Sequence, residues 1–166
     1  MARIGAYTLL LPLLITLVGC TLPADNPDAL NNLVPTEEQL LTEQLQSNES
    51  CRVENHSPRS NLLQTYTCRY NSVKFPNTTV TTIIKSYDTE ENLQGSYAYG
   101  SSHLVPSQAI LSRNSIGQES VFQGWNESQI FYYHYWIKET PFLIHVTSAG
   151  HENAQETVVA VAETIY

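Results

Sequence analysis

Beyond residue 35 the chain switches repeatedly between two hydrophobic periods. Thr36-Glu37-Glu38-Gln39 matches a capping box, and Leu40, Leu41 and Leu45 follow as a narrow apolar stripe, which predicts a helix over about 36–47. Leu62–Tyr70 and Thr78–Tyr87 are rich in Thr, Tyr and β-branched residues and predict strands, with turn residues between them. Asp88-Thr89-Glu90-Glu91 repeats the capping pattern. It opens a helix whose apolar face is Leu93, Tyr97, Gly100 and Leu104, with Gly95 and Gly100 weakening it. Strands are predicted at Gln108–Ser112, Glu119–Gly124, Gln129–Lys138 and Phe142–Thr147. The last element, His151–Tyr166, sets Ala154, Val158, Val161 and Ile165 on one helical face.

The segment Ile130–Val146, IFYYHYWIKETPFLIHV, is the richest in chemistry. A turn centred on Glu139-Thr140 predicts a hairpin in which paired residue numbers sum to 279. One face then pairs Ile137 with Phe142, Tyr135 with Ile144 and Tyr133 with Val146, a plain core set. The other pairs Trp136 with Leu143, His134 with His145 and Tyr132 with Thr147. Tyr132, His134, Trp136 and His145 are therefore the candidate binding residues, although helices packed on the sheet would also account for the aromatics. Two facing imidazoles suit Zn, Cu or Ni, but no third ligand is identifiable, so no metal or other cofactor is expected.

The N-terminus gives an address. Residues 1–20 carry one positive charge at Arg3 and an apolar run from Tyr7 to Val18 that is short for a membrane span and broken by Pro12. The exit Leu17-Val18-Gly19-Cys20 resembles the lipobox of bacterial lipoproteins, in which the cysteine is acylated and the bond before it is cut. The resemblance implies a signal over 1–19 and lipidation at Cys20; an ordinary cleaved signal is the alternative. Residues 20–35, with three Pro and no apolar period, read as a flexible tether. One domain over 36–166 remains.

Cysteine arithmetic agrees. Of three cysteines, assigning Cys20 to lipid leaves Cys51 and Cys68 to form a disulfide in an oxidising compartment. Four N-x-[ST] sequons, at Asn48, Asn55, Asn77 and Asn126, keep a secreted glycoprotein as a further alternative. Charged residues are 14% of the chain and the formal net charge is −8, with no basic patch, so nucleic acid is excluded as a partner. The expected partners are a membrane, through the lipid anchor, and a protein or small ligand.

No catalytic signature is present. The chain has no G-x-S-x-G, no H-E-x-x-H and no phosphate-cradling glycine loop. Aspartate occurs only at Asp25, Asp28 and Asp88, which leaves a Ser/His/Asp triad little to draw on. Glu90-Glu91 complements a helix dipole. A non-enzyme is expected; an envelope enzyme or metal-binding protein using the His134/His145 face is the alternative.

From Thr78 onward the order of features resembles bacterial lipoproteins that share the fold of the photosystem II protein PsbP and the Ran-binding protein Mog. The matching points are VTTIIKSYDTEENLQGSY, Ile116-Gly117-Gln118-Glu119-Ser120, a long hairpin, and ENAQETVVAVAETIY. The chain departs from that pattern at Gln118 and Ser120, where Asp and Ala are usual, and at the Lys138–Pro141 turn. The resemblance implies no catalytic residues. The expected fold is α+β: a mostly antiparallel twisted sheet with helices packed on its faces, an α/β/α sandwich.

Overall fold

The computed structural model describes residues 30, 33–48, 51–57, 59–103 and 110–166. Cys20, the expected signal and most of the expected tether lie outside them. The elements are α1 (Glu37–Thr42), β1 (Leu45–Ser47), β2 (Arg52–Asn55), β3 (Leu62–Ser72), β4 (Thr79–Tyr87), α2 (Glu90–His103), β5 (Ile110–Arg113), β6 (Glu119–Glu127), β7 (Ile130–Glu139), β8 (Phe142–Gly150) and α3 (Ala154–Ile165). All strand pairings are antiparallel, in the order β1-β3-β4-β8-β7-β6-β5. β2 joins β1 on the outer side of β3, against Gln64–Thr67, while β1 takes Tyr70–Ser72. The chain is thus an α+β fold with three helices among the described residues.

Two buried clusters use the two faces of this sheet. On one, Val158, Val161 and Ile165 of α3 meet Val80, Ile84, Ile144, Val146, Ile137 and Tyr135. On the other, Leu93 and Tyr97 of α2 meet Tyr87, Val121, Trp136 and Leu143. Strand side chains alternate across the sheet, so Tyr135 and Ile137 serve the first cluster and Trp136 the second. Leu30, inside the expected tether, is itself buried in the first cluster, with Leu33 and Val34 packed beside it.

Helix α1 is shorter than the periodicity predicts. The Thr36–Gln39 capping box forms in both directions. Gln44 then adopts φ 54°, a left-handed conformation that ends the helix, and its carbonyl accepts from Val73 N–H at 2.8 Å. Leu45 is buried as predicted, but in β1; Leu41, expected on the same stripe, is 71% exposed. At α2 the capping side chain is Thr89, which accepts from Asn92 N–H at 3.3 Å, one residue later than the Asp88–Glu91 pattern. Leu93, Tyr97 and Gly100 are buried as predicted, while Leu104 lies outside the described residues. Helix α3 buries all four of its predicted residues.

The β7–β8 hairpin keeps its predicted faces but not its predicted register. Glu139 pairs with Phe142, so paired numbers sum to 281: Ile137 opposes Ile144, Tyr135 opposes Val146, and Trp136 opposes His145. His134 therefore faces Thr147, and the expected direct pairing of His134 with His145 is corrected. Proline is the reason. The sum-279 register would set Pro141 opposite Lys138 inside the ladder, where a residue without an N–H cannot donate. Moving the turn to Thr140-Pro141 removes it from the ladder. A displacement of two in the sum preserves side-chain parity, which is why the core set survives.

Candidate functional site: an aromatic and imidazole run across the hairpin

The face of β6, β7 and β8 that carries Trp136 holds a run of five rings. Trp125 on β6 stacks on Tyr132 at 5.1 Å and 15° and contacts His134 at 4.9 Å, ring centre to ring centre. His134 lies 4.9 Å from His145, and His145 stacks on Trp136 at 3.6 Å and 5°. The local cause is strand alternation: Tyr132, His134 and Trp136 are i, i+2 and i+4 on β7, and Trp125 is the register partner of Tyr132. Although not directly opposite, His134 and His145 are diagonal neighbours, and Nε2 of His145 lies 2.9 Å from Nδ1 of His134.

Burial sets the protonation of the pair. It pushes His134 down from the usual 6.5 to about 4. It also holds His145 well below 6.5, helped by the neighbouring His134 and then by the Lys85 ammonium. Both rings are neutral at pH 7. Two neutral imidazoles carry two N–H groups and two lone pairs, and their shared hydrogen bond uses one of each. One donor and one acceptor remain for other groups. No group of three His, Cys, Asp or Glu residues suited to a metal occurs among the described residues.

All four candidate binding residues, Tyr132, His134, Trp136 and His145, thus lie in one run, with Trp136 at its buried end. Sequence reasoning missed Trp125, because the expected strand stops at Gly124 while β6 continues to Glu127. It also missed two anchors between this face and α2. Gln123 Nε2 donates to the Ser101 carbonyl at 2.8 Å. The buried Lys138 ammonium donates to Gln94 and lies 2.5 Å from Glu119 Oε1. Apolar alternation was the one available signal, and it is silent about a lysine at a strand position that faces a helix.

Beside the run, α2 and the strands form a pocket of about 300 Å³, open to solvent on one side, whose wall includes Trp136, Leu143 and Lys85. Neither histidine lines it. The other expected feature is present on the α3 side: Cys51 and Cys68 form a disulfide with Cα atoms 4.4 Å apart. Gly117, in the Ile116–Ser120 segment, adopts φ +68°, and a Cβ there would lie 2.6 Å from Ile137 Cγ2. Ser120 Oγ closes that turn by accepting from Ser115 N–H at 3.0 Å. No described helix is long and apolar enough to cross a membrane.

No protein-family model matches the chain, and no curated protein sequence matches it. Among solved structures, the extracellular domain of PknH from Mycobacterium tuberculosis is similar with a TM-score of 0.52 and 6% identity, covering 81% of this chain and 93% of that one. At that identity the likeness is one of fold. LpqN of Mycobacterium tuberculosis, described as involved in cell envelope biogenesis, aligns at a TM-score of 0.32 and 14% identity, covering 73% of this chain and 78% of that one. A score that low does not establish a common fold.

Proposed function

We propose that the chain is an exported lipoprotein, anchored through Cys20, whose PsbP/Mog-like α/β/α domain carries out no reaction and binds a protein or small ligand as an accessory of the cell envelope. The observation that carries the binding reading is the five-ring run: rigid aromatic side chains flanking a neutral histidine pair on one sheet face. Tyr and Trp combine apolar area with a polar tip and are enriched where proteins meet partners. Two further features support the address. The Cys51–Cys68 disulfide suits an oxidising compartment and leaves Cys20 as the odd cysteine. The fold is similar to a domain that is extracellular in its own protein.

The test has two arms. Intact mass of membrane-extracted protein is expected to show a chain beginning at an acylated Cys20, and Cys20→Ala is expected to release the protein from the membrane fraction. An unmodified start at another residue refutes the anchor. For the binding arm, a photo-crosslinking residue at Tyr132 is expected to trap a partner in cells, and one at Thr164 on α3 is not. Equal trapping at both positions refutes the assigned face.

A further inference from the structure

The 300 Å³ cavity beside α2 is separate from the exposed part of the ring run and has its own chemistry. Its volume is at the small end of ligand sites, which commonly span ~300–1,000 Å³. Three aromatic residues line it: Trp136 from β7 and Tyr87 from β4, both almost fully buried and so present only by their edges, and Tyr99 from α2, 62% exposed at the rim. Leu143 adds aliphatic surface. Tyr87 and Ser96 also bring hydroxyl-bearing side chains to the lining. The charged group is Lys85, half-buried, which has no ion-pair partner among the described residues although the chain carries sixteen Asp and Glu. A partly desolvated ammonium beside an apolar wall calls for an anion.

Gly95 is the independent observation. It stands inside α2, where glycine is a poorer helix former than alanine. Neither packing nor backbone demands it. A Cβ there would meet nothing within 4 Å, and its φ is not left-handed. Gly100, one turn on, is the contrast: a Cβ would lie 2.6 Å from Trp136 Cζ3, so close packing requires that glycine. Gly95 is exposed at the rim of the pocket, so the absence of a side chain leaves its mouth unobstructed.

We propose that this pocket binds a compact aryl carboxylate, its ring against Tyr99 and the exposed edges of Trp136 and Tyr87 and its carboxylate on the Lys85 ammonium. The proposal goes beyond the anchoring and partner-face reading and does not depend on it. The probe is 2-naphthoate, with 2-naphthamide as its neutral isostere, titrated into ¹⁵N-labelled full-length protein. The chain has two Trp, so two indole N–H signals report separately on Trp136 and Trp125. The Trp136 signal is expected to shift saturably with naphthoate while the Trp125 signal stays in place, and naphthamide is expected to bind about tenfold more weakly. Lys85→Met is expected to erase that preference and keep amide binding. Gly95→Leu is expected to abolish both, while Gly95→Ala, which stabilises the helix, confirms that the position tolerates a side chain. Equal affinity for the two probes, unchanged binding in Gly95→Leu, or no saturable shift at Trp136 overturns the proposal. None of these outcomes touches the mass or fractionation of the anchored chain.

Discussion

Acidification is expected to destabilise this protein through its histidine pair. His134 has an ordinary pKa of 6.5 when unfolded and about 4 when folded. The folded value is the lower one, so between these limits the unfolded chain binds protons that the folded chain refuses. Stability from this group is complete above about pH 7 and is lost as pH falls from 6.5 toward 4. At 1.36 kcal/mol per pH unit the full loss is about 3 kcal/mol, of which about 2 kcal/mol is gone by pH 5. His145, lowered in the same direction by burial, His134 and Lys85, adds to it. For a domain of this size 2 kcal/mol corresponds to a fall in Tm of ~6–10 °C. The assay is Tm by circular dichroism between pH 7.5 and 5, for wild type, His134→Gln, His145→Gln and the double variant. Each single variant is expected to flatten the slope in part and the double variant to remove it. A wild-type Tm that moves less than ~2 °C, or a double variant with the wild-type slope, refutes the reasoning.

Three other outcomes test the packing. Cys51→Ser is expected to cost about 3 kcal/mol, because the bridge to Cys68 closes a loop with a sequence separation of 17; chemical denaturation measures it. Gly100→Ala is expected to destabilise by ~1–3 kcal/mol through its clash with Trp136, whereas Gly95→Ala raises stability by up to about 1 kcal/mol, and the opposite signs are visible in paired thermal melts. Glu119→Ala is expected to cost about 2 kcal/mol by leaving the buried Lys138 ammonium without its carboxylate, and adding Lys138→Met is expected to recover part of that loss.

Periodicity made most of this fold legible. Which residues of β7 and β8 face the core depends only on parity, and the alternation of Tyr133, Tyr135 and Ile137 declares it. Which residues oppose each other depends on where the turn falls, and there the missing N–H of Pro141 outweighs the centring that the apolar pattern suggests. The end of α1 was hidden because Leu45 fits both a helical stripe and a strand, and only the left-handed Gln44 separates them. Strand β2 left no trace, since Arg52–Asn55 is exposed throughout and is held by β3 instead of by any apolar pattern of its own. The site was legible as residue types and faces. Its cavity was not, because Lys85, Gly95 and Trp136 come from three elements whose mutual packing no local period encodes.

The margins of the sheet bear on self-association. Its interior strands run to nine, ten and eleven residues and would template cross-β growth if one of them stood at an edge. None does. The β3 side is covered in two short pieces, β1 with three residues and β2 with four, and β2 carries the Arg52–Glu54 ion pair at 3.0 Å. The opposite margin, β5, has four residues and a register irregularity between Ile110 and Ser112. Breaks and charges of this kind deny an incoming strand a long, flat ladder. Molecules crowded together at high local density therefore meet through side chains and not by extending one another's sheets, so a rise in concentration favours reversible contacts over fibres.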